Sequence, residues 1–100
     1  MNEQKTKVVF RKWSKAAWSN GDIIALFPEV PADYNGFHCQ SYAHIGQHGA
    51  ADTCIIRART VPAKPEEYAE LKAELERIGY VLEVRTRITS QMHAKRRASA

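Results

Sequence analysis

Residues 38–54, HCQSYAHIGQHGAADTC, gather three of the chain's four histidines, both cysteines and two glycines into one stretch. Imidazole, thiolate and exposed main-chain amides are the groups that take up protons, metals and anions. A zinc site would start from His44 and His48, four residues apart and so on one side of a helix. Gly46 and Gly49 argue against a stable helix there. His38 and Cys39 would face opposite sides of a strand, and the Cys and His pairs lack finger-type spacing. No metal site is therefore expected.

The same loop supports a different chemistry. Tyr42, His44, Gln47 and His48, with the glycine-rich backbone beside them, form an anion-binding rim in which imidazoles and amides meet a phosphate or carboxylate. The competing reading is plainer: the glycines permit a tight turn, and Tyr42 and His44 seal a sheet edge. Nucleophilic catalysis has less support. Alternation puts Cys39 and Cys54 on apolar faces beside Phe37 and Ile56, where a thiol behaves as a small hydrophobe. Asp22, Asp33 and Asp52 stand alone beside turns, as caps do. With no Gly-Lys-Ser/Thr phosphate loop and no dinucleotide fingerprint, neither a catalytic residue nor a cofactor is expected. A metal-dependent or histidine-based hydrolase centred on residues 38–48 is the alternative from a different class.

The elements that must position these groups are written in local punctuation. Thr6–Trp13 and Asp22–Phe27 are rich in β-branched and aromatic residues, and Asn20-Gly21 between them suits a hairpin turn. SKAAWS either prolongs the first strand or leaves it. PEVPADYNG reads as a connector, because Pro28 and Pro31 remove ladder donors, and a third strand spans Phe37–Tyr42. Cys54–Thr60 alternates as a strand with Cys54, Ile56 and Ala58 on one face. Tyr80–Ile88 does the same with Leu82, Val84 and Ile88.

Between those two strands lies the clearest helix, residues 65–78. Pro65 suits the first helical position, Glu66 and Glu67 the positive end of the dipole, and Gly79 the position past the end. Tyr68, Leu71, Leu75 and Ile78 make its apolar stripe. The expected fold is α+β: a two-layer domain with a mainly antiparallel sheet of about five strands and this one helix on one face. Residues 1–88 form the domain, and 89–100 a basic flexible tail in which Lys95, Arg96 and Arg97 can act as a mobile phosphate anchor.

If Val8 and Phe10 face the core, then Lys7, Val9, Arg11 and Trp13 point away from it to solvent, joined by Arg57, Arg59, Arg85 and Arg87. Guanidinium forks hold phosphates and aromatic rings stack on bases, so this face is the expected site for nucleic acid or a nucleic-acid-handling protein. A half-exposed sheet also carries charges simply to be solvated. Arg and Trp are equally at home in a homodimer surface, so a dimeric interaction module without catalysis is a further alternative. Trp13 and Trp18 otherwise serve as packing anchors.

Charge and composition bound the rest. Residues 65–78 carry five glutamates against Lys72 and Arg77, a net −3, so the +4 of the whole chain leaves +7 elsewhere. The field is two-sided, with a basic part able to steer towards a polyanion. At 100 residues, any site is shallow or shared between subunits. No apolar run approaches the ~20 residues of a membrane span, MNEQKTK lacks the apolar core of a secretory signal, and two cysteines are no secreted framework. A cytoplasmic protein with free thiols is expected.

Taken together, VVFRKW, GDIIALFPE, SYAHIGQHG and EYAELKAELERIGY resemble segments of small uncharacterised bacterial proteins carried by phages, plasmids and integrative elements. The resemblance covers about residues 7–88. It implies a compact domain with SYAHIGQHG as its distinctive segment and no activity; the expected function is that of a small accessory protein of a mobile element.

Overall fold

Strand β1 (Thr6–Trp13) is the organising element, because it pairs along both of its edges. The computed structural model describes residues 5–14, 21–43 and 47–100. On one side β1 runs antiparallel to β2 (Ile23–Pro31), in the hairpin expected from Gly21, with Val9 opposite Leu26 and Arg11 opposite Ile24. Then come β3 (Cys39–Ala43) and β4 (Gln47–Ala51), each antiparallel to its neighbour. Along its other edge β1 pairs antiparallel with β5 (Thr60–Pro62) and parallel with β6 (Leu82–Arg85). The result is an α+β fold on a mainly antiparallel sheet, six-stranded among the described residues.

Helix α2 (Pro65–Ile78) has the expected bounds. Pro65 opens it, and the carboxylate of Glu67 accepts from the Lys64 amide at 2.9 Å, one half of a capping box. Gly79 closes it at φ 125°, a conformation that side chains with a Cβ avoid, and donates to the Leu75 and Glu76 carbonyls. Leu71 and Leu75 reach a core with Val8, Phe10, Ala25, Phe27 and Tyr42. Tyr68 stacks on Phe10, Tyr80 stacks on Phe27, and Lys12 pairs with Glu67 at 2.5 Å. Ile78, expected in the stripe, is exposed because it lies in the last turn, beyond the sheet's cover.

The opposite face is covered as well, which the sequence did not lead us to expect. Residues expected as the strand Cys54–Thr60 form helix α1 (Thr53–Arg59), and the basic tail forms helix α3 (Ser90–Ala98). The short apolar run fits either period, and Asp52 decides it by accepting from the Cys54 and Ile55 amides as N-cap. Ile56 of α1 joins Ile24, Leu26, Cys39 and Ala51 in a second core, edged by Trp13 and Ile88. Helix α3 is held by Met92 and, less usually, by Arg96, which is only 1% exposed. Its guanidinium donates to the carbonyls of Gly36 and Pro28, both at 2.8 Å, and to that of Phe37 at 3.5 Å.

Three other expectations are corrected. Strand β2 runs on through Pro28 to Pro31, with its register against β3 shifting between Phe27 and Pro31 where prolines cannot donate. The histidine-glycine loop supplies a strand, β4. Strand β6 stops at Arg85, so parity fails beyond it: Leu82 and Val84 pack on the first core and Ile88 on the second. Of SKAAWS, Ser14 is described, its amide donating to the Arg59 carbonyl at 3.1 Å, and the pairing of residues 15–19, Trp18 included, lies outside the described residues.

Candidate anion-binding groove

An open groove of about 920 Å³ lies on the second face of the sheet, between α1 and the segment from Thr86 into α3. Val9 and Leu26 form its floor. Val9 was expected to point to solvent but is 1% exposed, because helices cover that face too. Above this apolar floor stand three arginines from three different elements: Arg11 from β1, Arg57 from α1 and Arg87 from the segment after β6. Hydroxyls of Thr53, Thr86, Thr89 and Ser90 and the ring of His93 add to the polar lining, which among the described residues contains no Asp or Glu.

Arg11 is fixed in place. Its Nε donates to Thr60 Oγ1 and its Nη2 to the Thr60 carbonyl, both at 2.9 Å, and Thr60 Oγ1 donates in turn to the Ile56 carbonyl. Every acceptor in this chain is neutral, so the positive charge is oriented without being cancelled. Burial, and then the neighbouring charge of Arg57, hold the Arg11 guanidinium below its ordinary pKa. Two neighbouring cations, with no carboxylate among the described lining residues, can together stabilise an anion through charge-assisted hydrogen bonds worth roughly 1.5–3 kcal/mol each.

The other arginines named for this face separate from the groove. Arg85 pairs with Glu83 at 2.8 Å, so much of its charge is cancelled. Arg59 is exposed on α1 and lies outside the groove lining. Trp13 is half-buried against the second core. Of the tail cluster, Lys95 pairs with Glu29 at 3.3 Å and Arg96 is buried, leaving Arg97 exposed. Glu29 also pairs with Lys7, and although burial acts upward on its carboxyl, the two lysines bring it below the ordinary value.

The loop rim looks different in three dimensions. Tyr42 is buried on the α2 side of the sheet and its hydroxyl donates to the Glu74 carboxylate, so the charge beside it is negative. His48 is exposed, edge-on to Tyr42, with Nε2 3.2 Å from the Tyr80 hydroxyl. His44 and the side chain of Gln47 lie outside the described residues. His38 Nδ1 bonds the Asp33 carboxylate at 2.7 Å, which draws that carboxyl below its usual range. Among the described residues no group of three His, Cys, Asp or Glu side chains is placed to hold a metal ion.

The two thiols part company. Cys39 is fully buried, and burial pushes its pKa up to about 11. Cys54 was expected on an apolar face, but it is exposed at the start of α1 and lines the groove. The groove hydroxyls, His93 and Cys54 were missed because they are united only by the folding of α1 and α3 over the sheet. A trace existed in Asp52 as a helix cap. No helix among the described residues is long and apolar enough to cross a membrane. In comparisons with family models, curated proteins and solved structures, the chain matches none.

Proposed function

We propose that this chain is a small binding protein that takes the phosphates of nucleic acid in the groove of Arg11, Arg57 and Arg87, working without catalysis. The observation that carries the reading is the composition of the lining: three arginines line one cavity, with no Asp or Glu among the described residues that line it. A solvated surface intersperses both signs, as Arg85 and Glu83 do here. The resemblance adds a mobile element as the setting, and an accessory role in handling its nucleic acid, in the cytosol, fits a small binding domain. The chain's +4 charge favours encounter with such a polyanion.

The test is binding of a fluorescein-labelled oligonucleotide, followed by anisotropy at several salt concentrations. Affinity should fall linearly on a log–log plot with salt, and Arg57→Gln and Arg87→Gln should each weaken binding and reduce the slope by about 1. Binding unchanged in the double variant would rule the groove out.

A further inference from the structure

A second, smaller cavity of about 240 Å³ adjoins the groove, and the two share Thr53, Cys54, Ser90 and His93 in their walls. The lining therefore runs on past the start of α1 to two exposed side chains, Arg97 and Phe37. Phe37 is 52% exposed although it is a large apolar ring. Its amide donates to Asn35 Oδ1 and its carbonyl accepts from Arg96, so its backbone is held while the ring stands out, touching the His38 ring edge-on at 4.8 Å. Among the described residues Asp52 is the one carboxylate in this part, and it caps α1 by accepting from the Cys54 and Ile55 amides.

We propose that the two cavities form one track for single-stranded nucleic acid, with phosphates held at Arg11, Arg57 and Arg87, a further phosphate at Arg97, and a base stacked on Phe37. This rests on the reading of the groove as the phosphate site. A duplex is read by a convex helix or ribbon entering its grooves, whereas this surface is concave and receives its ligand between two walls. Cationic grooves flanked by an exposed aromatic ring are how single strands are held, since every base has a face to stack. The hydroxyls between the two ends supply neutral hydrogen bonds along the path, suited to sugar and phosphate oxygens.

The experiment compares a labelled twelve-residue oligothymidylate with a twelve-base-pair duplex at one salt concentration, using inorganic polyphosphate as competitor. The single strand should bind at least roughly tenfold more tightly than the duplex, and Phe37→Ala should weaken it roughly 5- to 100-fold. Phe37→Tyr should keep most of the affinity, and polyphosphate competition should be the same in all three proteins. Arg97→Gln, at an exposed side chain, tests the same end of the track if Phe37→Ala proves unstable. If Phe37→Ala and Arg97→Gln bind as tightly as the parent while Arg57→Gln weakens binding, the track is refuted and the groove stands. Duplex binding equal to or tighter than single-strand binding also refutes the track. If Arg57→Gln and Arg87→Gln change nothing, both readings fall.

Discussion

The guanidinium of Arg96 donates to the main-chain carbonyl of Gly36 at 2.8 Å, tying the last helix to the turn before β3 across sixty residues of sequence. Both residues are buried. The bond closes one end of the track, because α3 carries His93 and Arg97 while the turn leads into Phe37.

Arg96→Met should therefore cost far more than a surface change. Methionine fills part of the volume but leaves the carbonyls of Pro28 and Gly36 without their donor, at about 1–3 kcal/mol for each buried group. A loss of roughly 2–6 kcal/mol in urea unfolding is expected, and Arg96→Lys should recover only part of it, since an ammonium cannot reproduce the fork. A change below about 0.5 kcal/mol, the range of ordinary surface substitutions, would show that Arg96 does not anchor α3.

Gly36→Ala should separate close approach from backbone strain. Gly36 has φ 72°, and an added Cβ would sit 2.8 Å from Arg97 Cα and 3.1 Å from the Arg96 carbonyl oxygen. Gly79 has φ 125° with nothing within 4 Å of such a Cβ. Gly79→Ala bears the backbone cost alone, of order 1–3 kcal/mol, and Gly36→Ala bears that and the collision with α3. The melting temperature should fall further for Gly36→Ala, and the reverse order would mean that α3 does not pack against the turn.

Acid should weaken the fold before the carboxylates titrate. Burial first, then the charges of Arg96 and Arg97, hold the His93 imidazole below its ordinary pKa, and its Nδ1 accepts from Arg96 Nη2 at 2.8 Å. A group with a depressed folded pKa contributes stability that is fully present above its unfolded value, near 6.5, and is lost as pH falls towards the folded one. Urea midpoints measured from pH 7.5 to 5.5 should decline, and His93→Gln should flatten the curve. An identical slope in the variant would exclude His93 as its source. Glu29, Asp33 and Glu67, whose pKa values are also lowered, act at more acidic pH.

Thiol labelling should distinguish the two cysteines and report on the groove. In the native protein a disulfide-exchange reagent should modify Cys54 quickly and Cys39 only on unfolding, because the thiolate is the reactive form and burial suppresses it at Cys39. A bound oligonucleotide should slow modification of Cys54. Rapid titration of two thiols in the folded protein would contradict the placement of Cys39 in the second core.

Local order determined what could be read without a structure. Helix 65–78 was legible because its signals lie within one segment: Pro65, the early glutamates, the spacing of Leu71 and Leu75, and Gly79. The first hairpin, the placing of Val8 and Phe10 on the α2 side and the α+β class follow from the same short-range chemistry. Tertiary structure decided the rest. Cys54–Thr60 has too few residues for its period to separate strand from helix, and α3 offers only Met92 and Arg96 to the interior, so neighbouring strands and carbonyls set both. The groove was illegible for a related reason: Arg11, Arg57 and Arg87 lie on a strand, a helix and a loop, and strand parity says nothing of which distant elements fold together. Parity grouped Arg85 with them, and a carboxylate two residues away took it out. Charge content is a property of the chain, whereas convergence of charge on one cavity is a property of the fold.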